Sequence, residues 1–254
     1  MTHTIDLEGK TALITGASRG IGRAIAMALG EAGAIVGVNY LRSQEAAEEV
    51  CKALGDSRAV AVEADMAKPS EVEGMIESFV ATFGRLDILV NNAAVFELNH
   101  FERDDYEGWQ AAWRRTFDVN VFGAANAAFI AMRHMRRQGG GKIINVASRA
   151  AYRGETEFAD YGASKAALVN LTISIARRCS KDGITANGIA PGFIETDMAA
   201  AEIEAHREEL EAQVPLGYIG MPDDIARVAL FLASPMSDYM NGATIDVNGG
   251  SWFH

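Results

Sequence analysis

Apolar residues in this sequence follow two alternating patterns, short β-branched runs and longer stretches with helical spacing. The short runs predict buried strands, because a strand covered on both faces is apolar along its whole length. They are Thr11–Thr15, Ala34–Val38, Ala59–Glu63, Leu86–Val90, Lys142–Ala147, Ile184–Ala190 and Thr244–Val247. Helical stretches separate them, which predicts right-handed crossovers. We therefore expect a doubly wound α/β fold, with a parallel sheet of about seven strands and helices on both faces.

Nothing along the 254 residues marks a second domain, because the composition does not shift and no internal repeat is visible. A chain of this length with 49% hydrophobic residues can bury a sizeable core. We expect one domain over residues 1–254. Within it, the stretch Glu195–Val214 is polar, acidic and helical in pattern. We interpret this stretch as a mobile lid over the substrate.

The charge and the cysteines limit the choice of partner and compartment. Twenty-three basic and 34 acidic residues give a net charge of −11, which disfavours binding to nucleic acid or to an anionic membrane. The start of the chain does not resemble a signal peptide, and no run of about 18 apolar residues follows. Cys51 and Cys179 lie in separate amphipathic stretches and do not form a disulfide framework. We expect a cytoplasmic protein that binds small molecules or basic surfaces.

The first predicted strand is joined to the first predicted helix by a glycine-rich turn, TGASRGIG, at residues 15–22. Glycines let a backbone approach a ligand closely, and a helix N-terminus presents N–H groups to an anion. The turn therefore indicates a pyrophosphate site in a Rossmann-type fold, although its spacing is Gly-x-x-x-Gly-x-Gly and not Gly-x-Gly-x-x-Gly. A P-loop at Gly9–Thr11 is excluded, because position 4 is Thr4 and the tripeptide precedes a strand.

The end of the second predicted strand bears on which dinucleotide is bound. NAD sites usually carry an acidic residue about 20 residues past the glycines, whereas NADP sites carry cations. The corresponding segment, Asn39–Ser43, contains no carboxylate. Arg42 in this segment and Arg19 in the glycine-rich turn can both pair with a 2′-phosphate. We therefore expect NADP(H) as the cofactor; the alternative for Arg42 is a solvated loop residue.

Tyr161 and Lys165 stand four residues apart in a helical pattern and so share one face. A nearby ammonium lowers the pKa of a phenol from about 10, so such a tyrosine can act as a general acid. The same pair also occurs on ordinary surface helices. Ser148 favours a functional site, because it follows the strand Lys142–Ala147 at the edge of the sheet where open α/β folds bind ligands.

Together these residues resemble the short-chain dehydrogenase/reductase family over essentially the whole chain. Asp65 is similar to the adenine contact of that family, and Asn91–Ala94 to its Asn-Asn-Ala-Gly segment. The family's catalytic tetrad is matched by Asn120, Ser148, Tyr161 and Lys165. The resemblance continues through Asn187, Pro191, Gly192 and Thr196. It implies a cofactor site made of Gly16, Ser18, Arg19, Gly20, Ile21, Gly22, Tyr40, Arg42, Ser43, Asp65, Met66, Asn92, Ala93, Ala94, Tyr161, Lys165, Pro191, Gly192, Ile194 and Thr196.

The resemblance also implies a role for each member of the tetrad. Ser148 would orient and polarise a substrate carbonyl, and Tyr161 would donate its proton as hydride arrives from nicotinamide. Lys165 would bind the nicotinamide ribose and lower the pKa of Tyr161. Asn120 would hold a water that links Lys165 to solvent.

Two positions depart from the family pattern without removing a catalytic group. Ala94 stands where glycine is usual, and Ala147 where serine is frequent. No metal is expected, because the histidines show no ligand spacing and are interpreted as surface residues. They are His3, His100, His134, His206 and His254.

Three segments resemble the β-ketoacyl carrier-protein reductases of this family, namely Gly183–Thr185, Pro191–Met198 and Ile245–Gly250. Such enzymes use NADPH in fatty acid biosynthesis and dock an acidic carrier protein on basic residues. A candidate docking patch is formed by Arg133, Arg136, Arg137, Arg177 and Arg178. The expected activity is reduction of a 3-oxoacyl thioester, with a solvated helix face as the alternative for each arginine.

The segment between Ser148 and Tyr161 is more charged than expected beside a thioester. Its polar and charged residues are Arg149, Tyr152, Arg153, Glu155, Glu157 and Asp160. An NADP-dependent alcohol, sugar or polyol dehydrogenase is therefore an alternative. A dinucleotide-sensing protein without catalysis is a third hypothesis, against which the complete tetrad argues.

The helical stretches Asp105–Gln138 and Tyr161–Asp182 are long and carry apolar positions on more than one side. In the family such helices form a four-helix dimer contact, and the C-terminal strand with Ser251–His254 forms a second interface. The resemblance therefore implies a homotetramer with two-fold axes.

Overall fold

The structure is a computed structural model that describes residues 5–55, 57–99, 101, 105–197 and 199–254, with backbone only at 201 and 202. His3, His100 and Met198 lie outside the described residues. The strands are β1 Thr11–Ile14, β2 Ile35–Tyr40, β3 Ala59–Glu63, β4 Ile88–Asn91, β5 Gly141–Val146, β6 Ile184–Pro191 and β7 Thr244–Val247. They form one sheet in the order β3-β2-β1-β4-β5-β6-β7, with every pairing parallel. The predicted sheet is confirmed.

Helices connect the strands of this sheet. They are α1 Gly20–Glu31, α2 Gln44–Leu54, α3 Pro69–Phe83, α4 Tyr106–Phe117, α5 Ala124–Gln138, α6 Ala150–Arg153, α7 Ala159–Cys179, α8 Ala200–Ala212 and α9 Pro222–Ala233. The residues Asp118–Gly123, between α4 and α5, are π-helical. The stretch predicted over Asp105–Gln138 is therefore one helical run with a π segment near its middle.

Apolar side chains pack on both faces of the sheet. On one face, Ile14 of β1 belongs to a cluster with Ile25 of α1, which α9 also joins. On the other face, Leu13 of β1 packs in a cluster with Phe79 of α3 and Ile175 of α7. Consecutive strand residues point to opposite faces, so Leu13 and Ile14 serve different layers. Burying each such side chain stabilises the fold by about 1.5–3 kcal/mol.

The order of strands reverses at β1, because β2 and β3 lie on one side of it and β4 to β7 on the other. In open parallel sheets, ligands bind outside the carboxyl ends of the strands at this reversal. The loops after β1 and β4 approach each other closely here. A Cβ added to Gly16 would lie 3.0 Å from the Cα of Ala93. The fold therefore places the glycine-rich turn, the Asn91–Ala94 segment and Ser148 at one edge.

Candidate active site

A cavity of about 560 Å³ lies at this edge of the sheet. Its wall is formed by the loops that follow β1 to β6 and by the start of α7. All the predicted cofactor-binding residues line it, as do Ser148, Tyr161 and Lys165 of the predicted tetrad. Asn120 is buried and does not line the cavity. The structure therefore brings the predicted residues together, while the role of each one stays a prediction.

The glycine-rich turn is shaped by backbone geometry and by one amide side chain. Gly16 has a φ of +62°, in the left-handed region that favours glycine. A Cβ on Gly22 would lie 2.3 Å from the carbonyl oxygen of Gly16 and 2.5 Å from Asn92 Nδ2, so no larger residue fits. Asn92 Nδ2 donates to the carbonyl oxygens of Thr15 and Gly16 at 2.9 and 3.0 Å. The result is a backbone cradle that fits a pyrophosphate.

Asn39, for which the sequence predicted no role, supports the same turn from β2. Its Oδ1 accepts a hydrogen bond of 3.0 Å from the main-chain nitrogen of Gly16. Its Nδ2 donates to the carbonyl oxygens of Val62 and Ala64, each at 3.2 Å. Asn39 therefore ties the ends of β1, β2 and β3 together. The sequence feature that could have indicated this role of Asn39 is a single amide side chain in an otherwise apolar strand.

Positive groups surround the part of the cavity nearest the solvent. Among the described residues no side chain caps the start of α1, and its first turn carries no acid, so its N–H groups are available to an anion. Arg19 and Arg42 line the cavity and are exposed. Arg19 Nη1 lies 4.0 Å from Asp197 Oδ2 in an exposed pair. The loop Leu41–Ser43 contains no carboxylate, so these residues fit a dinucleotide that carries an additional phosphate.

The hydroxyl groups of Ser148 and Tyr161 meet in the buried part of the cavity. Ser148 follows β5, and its Oγ accepts a hydrogen bond of 3.1 Å from the main-chain nitrogen of Ala150. Its single proton therefore remains for another oxygen, and Ser148 hydrogen-bonds the side chain of Tyr161. Lys165 Nζ donates to the carbonyl oxygen of Val146 at 2.8 Å and lies 5.5 Å from the ring centroid of Tyr161. A carbonyl oxygen placed here can accept from both hydroxyls.

Burial changes the acidity of the two titratable members of this group. Burial raises the pKa of Tyr161 to about 12, although the hydrogen bond from Ser148 acts in the opposite direction. Burial lowers the pKa of Lys165 to about 8. The expected lowering of the Tyr161 pKa is wrong for the protein alone, because desolvation is the larger effect. At pH 7 Tyr161 therefore keeps its proton and Lys165 is mostly charged.

Asn120 lies in the π-helical segment and fixes the loop after β4. Its Oδ1 accepts from the main-chain nitrogen of Val95 at 2.7 Å, and its Nδ2 donates to the carbonyl oxygen of Val95 at 3.1 Å. Nδ2 also donates to Ser164 Oγ at 3.0 Å, and Ser164 Oγ donates to the carbonyl oxygen of Tyr161 at 2.7 Å. Both amide protons of Asn120 are therefore used. The predicted role of Asn120 in holding a water would then fall to the remaining lone pair of Oδ1 or to the main chain, and it stays a prediction.

The sequence matches that of known enzymes along almost its whole length. Residues 16–251 match the sequence model of a family described as enoyl-(acyl carrier protein) reductase. The chain is 43% identical to the 3-oxoacyl-[acyl-carrier-protein] reductase FabG of Staphylococcus aureus, over 96% of this chain and 98% of that protein. The chain belongs to the short-chain dehydrogenase/reductase family. The reductase of the same name from Vibrio cholerae is 39% identical, over 98% and 99%.

Solved structures of this family have the same fold. A gluconate 5-dehydrogenase from Burkholderia cenocepacia, in complex with NADP and tartrate, matches with a TM-score of 0.89 at 36% identity. The match covers 98% of this chain and 97% of that one. Membership of the family confirms the predicted enzyme class, an oxidoreductase. None of the described helices combines the length and apolar character needed to cross a membrane.

The structure accommodates both departures from the family pattern. Among the described residues, only glycines have a positive φ, so the backbone of Ala94 lies in a region open to alanine. Ala147 is buried, and its main-chain nitrogen donates to the carbonyl oxygen of Ile189 at 2.7 Å. Neither position needs the residue that is common in the short-chain dehydrogenase/reductase family.

Aromatic and charged side chains form the wall beside the tetrad. Phe96 stacks on Phe158 with ring centroids 4.1 Å apart and meets the ring of Tyr161 edge-on at 4.9 Å. Arg149 and Glu155 also line the cavity. The sequence indicated the charges in this segment but not their positions, and it gave no signal for the two phenylalanines.

The histidines pair with acidic residues away from the tetrad. The described pairs are His134 with Glu77 at 3.1 Å, His206 with Glu209 at 3.5 Å, and His254 with Asp246 at 3.1 Å. The side chain of His134 is 10% exposed and pairs at the surface with Glu77, which is 46% exposed. Within the described ranges, no group of three His, Cys, Asp or Glu side chains could hold a metal ion.

Proposed function

We propose that this protein is an NADP-dependent reductase that converts a 3-oxoacyl thioester to the 3-hydroxyacyl thioester. The observation that carries the proposal is the meeting of the Ser148 and Tyr161 hydroxyls beside the Lys165 ammonium in the cavity. The substrate is suggested by the relatives from S. aureus and V. cholerae, whose names specify a 3-oxoacyl group on a carrier protein. Ser148, Tyr161 and Lys165 are sufficient to supply the proton for this reduction.

The side chains of the protein supply the proton that the reduction requires. NADPH held by the glycine-rich turn and Lys165 would supply the hydride that the carbonyl carbon receives. The carbonyl oxygen accepts hydrogen bonds from Ser148 and Tyr161, which polarises the carbonyl group. Tyr161 gives its proton to the oxygen as negative charge develops there, and the Lys165 ammonium then stabilises the phenolate. Lys165, with a pKa of about 8, can return a proton to Tyr161 near neutral pH.

The choice of NADP is supported by the charges at the exposed part of the cavity. Arg19 and Arg42 line it, and the loop Leu41–Ser43 has no acid that would repel a 2′-phosphate. The structure of the B. cenocepacia relative contains NADP. A cytoplasmic location agrees with this cofactor and with Cys51 and Cys179 being buried without a disulfide.

The stretch 195–214 is proposed as a lid within a single domain of residues 1–254. Thr196 and Asp197 at its start line the cavity. Glu195 pairs with Arg207 of α8 at 2.7 Å, which links the start of the stretch to its helix. The backbone of His206 departs from helical angles, so α8 bends within the proposed lid.

A homotetramer is proposed from the apolar surface of the long helices. Tyr106 of α4, Phe122 of the π segment and Phe129 of α5 are 66%, 57% and 60% exposed. Ile173 of α7 is 40% exposed. Large apolar side chains exposed on neighbouring helices are typical of a buried interface between subunits.

The predicted arginine patch lies at the far edge of the sheet from the cavity of its own chain. Tyr161 and Arg177 are 16 residues apart in α7, which corresponds to about 24 Å along a helix. Arg136 already pairs with Asp182 at 2.8 Å. Antiparallel pairing of α5 and α7 with a second copy would bring the patch close to the partner's cavity. We therefore propose that a carrier protein docked on one subunit delivers its substrate to the next.

A second candidate function is an NADP-dependent dehydrogenase of a small polar alcohol, sugar or polyol. The charged side chains of Arg149 and Glu155 in the cavity wall favour it. The solved relative from B. cenocepacia is named as a gluconate 5-dehydrogenase and holds tartrate.

The deciding experiment measures oxidation of NADPH with an acetoacetyl thioester on a carrier protein, with NADH, a ketose and a diketone in parallel. The proposal predicts rapid NADPH-dependent turnover that slows when Arg133, Arg137 and Arg177 are neutralised together. Failure to turn over the thioester, combined with activity on a small polar ketone, would favour the second candidate.

A further inference from the structure

Arg149, the residue after Ser148, is a buried cation whose terminal nitrogens lack hydrogen-bond acceptors. The residue is 3% exposed. Across the part of the chain that the structure describes, Nη1 and Nη2 find no acceptor. Its main-chain nitrogen donates to the carbonyl oxygen of Pro191 at 3.0 Å, which fixes where the side chain starts. Burying N–H groups without acceptors costs free energy, which a ligand oxygen bound here would offset.

Nearby groups compensate Arg149 only in part. Its guanidinium carbon lies 4.9 Å from the ring centroid of Phe193, a cation–π contact that satisfies no N–H group. Glu155 pairs instead with Arg153, whose Nε lies 3.1 Å from Glu155 Oε1. Burial and the neighbouring Arg153 lower the pKa of Arg149 to about 10, so the guanidinium stays charged at pH 7. Charged donors are therefore present beside the tetrad and are not used within the protein.

The ring that covers Arg149 connects it with the proposed lid. Phe193 lies just before Glu195, lines the cavity, and packs against the apolar cluster that contains Ile203 and Leu210 of α8. The ring shields the guanidinium from water. A shift of this ring together with the lid would open the donors to a bound substrate. A hydrogen bond formed in such a dry site meets little competition from water.

The position of this cation relates it to the second carbonyl of the substrate. Arg149 lines the same cavity as Ser148 and Tyr161. Because Ser148 and Arg149 are consecutive, their Cα atoms are about 3.8 Å apart. A 3-oxoacyl thioester carries two carbonyl groups separated by one CH₂ group, the ketone at C3 and the thioester carbonyl at C1. When Ser148 holds the C3 oxygen, the C1 oxygen can therefore accept from the guanidinium of Arg149.

We propose that Arg149 determines specificity by donating a hydrogen bond to the C1 oxygen, so that 3-oxoacyl thioesters are preferred to isolated ketones. This inference rests on the proposed reduction by Ser148, Tyr161 and Lys165, and it names the group that recognises the thioester. An isolated ketone would leave the buried donors without an acceptor, which is how sites reject analogues that lack a polar group. The C1 carbonyl is unchanged, because the hydride goes to C3 and the proton to its oxygen.

The test replaces the C1 carbonyl of the substrate by a CH₂ group. The acetoacetyl thioester of pantetheine is compared with the 3-oxobutyl thioether of pantetheine, which keeps the ketone and the sulfur and lacks the C1 oxygen. Oxidation of NADPH gives kcat/KM for both compounds. Arg149→Met should lower kcat/KM for the thioester by about 10- to 100-fold, as for a lost hydrogen bond from a charged donor, and change the thioether little. Comparing the two proteins removes the difference in intrinsic reactivity between the ketones.

Arg115→Met is the matched control, because Arg115 also lines the cavity and already pairs with Glu97 at 3.1 Å. It should leave the ratio of thioester to thioether unchanged. Arg149→Lys, which keeps the charge and loses the planar fork of donors, should fall between the wild type and Arg149→Met.

Thermal unfolding and cofactor binding separate this role from a structural one. Removing an unpaired buried charge should leave the Tm of Arg149→Met unchanged or raise it, and the Kd for NADPH should stay the same. A structural role predicts a lower Tm and equal losses of kcat/KM on the thioester and the thioether. Equal losses on the two compounds would overturn the inference.

The inference and the proposed function fail in different ways. A wild-type protein that does not reduce the acetoacetyl thioester contradicts the proposed function and this inference together. Rapid reduction by the wild type that is lost in Tyr161→Phe supports the proposed function. If the ratio of thioester to thioether is then the same in Arg149→Met as in the wild type, the inference alone is overturned.

Discussion

Lys165 Nζ donates a hydrogen bond of 2.8 Å to the main-chain carbonyl oxygen of Val146, the last residue of β5. This contact holds the first turns of α7 against the edge of the sheet where Ser148 lies. It also keeps the ammonium away from water, and this desolvation lowers the pKa of Lys165 to about 8. The same packing therefore positions Tyr161, one turn earlier, and sets the charge beside it.

The pH dependence of reduction should follow from these two groups. Reduction requires Tyr161 with its proton and Lys165 with its charge. Burial raises the pKa of Tyr161 to about 12 and lowers that of Lys165 to about 8. As the pH rises, Lys165 therefore loses its charge before Tyr161 loses its proton. We expect kcat/KM for reduction to be level from pH 6 to about 7.5 and to fall above about 8.

Oxidation of the alcohol should show the opposite trend, because Tyr161 must then accept a proton and its phenolate becomes more populated as the pH rises. Steady-state rates in both directions, measured across the same buffers, check the pair of profiles. A reductive rate that increased steadily between pH 8 and 9 would not agree with this assignment.

Gly22→Ala should weaken cofactor binding. The added Cβ would lie 2.3 Å from the carbonyl oxygen of Gly16 and 2.5 Å from Asn92 Nδ2. Neither atom can move away freely, because one belongs to the main chain and the other is hydrogen-bonded to it. We expect the Kd for NADPH to rise by about tenfold or more, equivalent to about 1.4 kcal/mol. Titration of the protein with NADPH, followed by the fluorescence of the bound cofactor, measures this Kd.

Gly74→Ala is the control for this substitution. Gly74 lies in α3, and a Cβ there would have no heavy atom within 4 Å. This change should stabilise the protein by about 0.5–1 kcal/mol, because alanine favours the helix, and leave the Kd unchanged. Similar effects of the two alanines on NADPH binding would show that the cradle is not the phosphate site.

Arg42→Ala should reduce the preference for NADPH over NADH. Arg42 lines the exposed part of the cavity, and a charge-assisted hydrogen bond to a 2′-phosphate is worth about 1.5–3 kcal/mol. We expect KM for NADPH to rise by roughly tenfold or more and KM for NADH to stay nearly constant. Arg23→Ala, at an exposed position of α1 outside the cavity lining, is the control. A parallel change for both cofactors would contradict the assignment of Arg42.

The sequence predicted the strands well because β1, β4 and most of β2, β5 and β6 are buried on both faces. Such burial leaves a continuous apolar run, which can be recognised from neighbouring residues alone. The alternation of strands and helices also predicts that Ser148, Tyr161 and Lys165 lie at the carboxyl edge of the sheet. The support that Asn39 gives to the glycine-rich turn could not be predicted, because its partners Gly16, Val62 and Ala64 are more than twenty residues away. Only the pairing of β1, β2 and β3 brings them together.

The burial of Arg149 depends on long-range packing in the same way. Its sequence neighbours indicate a charged, solvated loop, whereas the structure covers it with Phe193 from the loop after β6. The raised pKa of Tyr161 also results from packing, because desolvation outweighs the neighbouring charge that its helical spacing with Lys165 suggests.

The most direct test of the central claim follows the hydride itself. The protein is supplied with an acetoacetyl thioester and NADPH that carries deuterium at the transferred position, and the product is examined by mass spectrometry. We expect one deuterium on the carbinol carbon, and a rate that falls by about 10²–10⁴ in Tyr161→Phe while NADPH still binds. Product without deuterium, or undiminished turnover in Tyr161→Phe, would contradict the account.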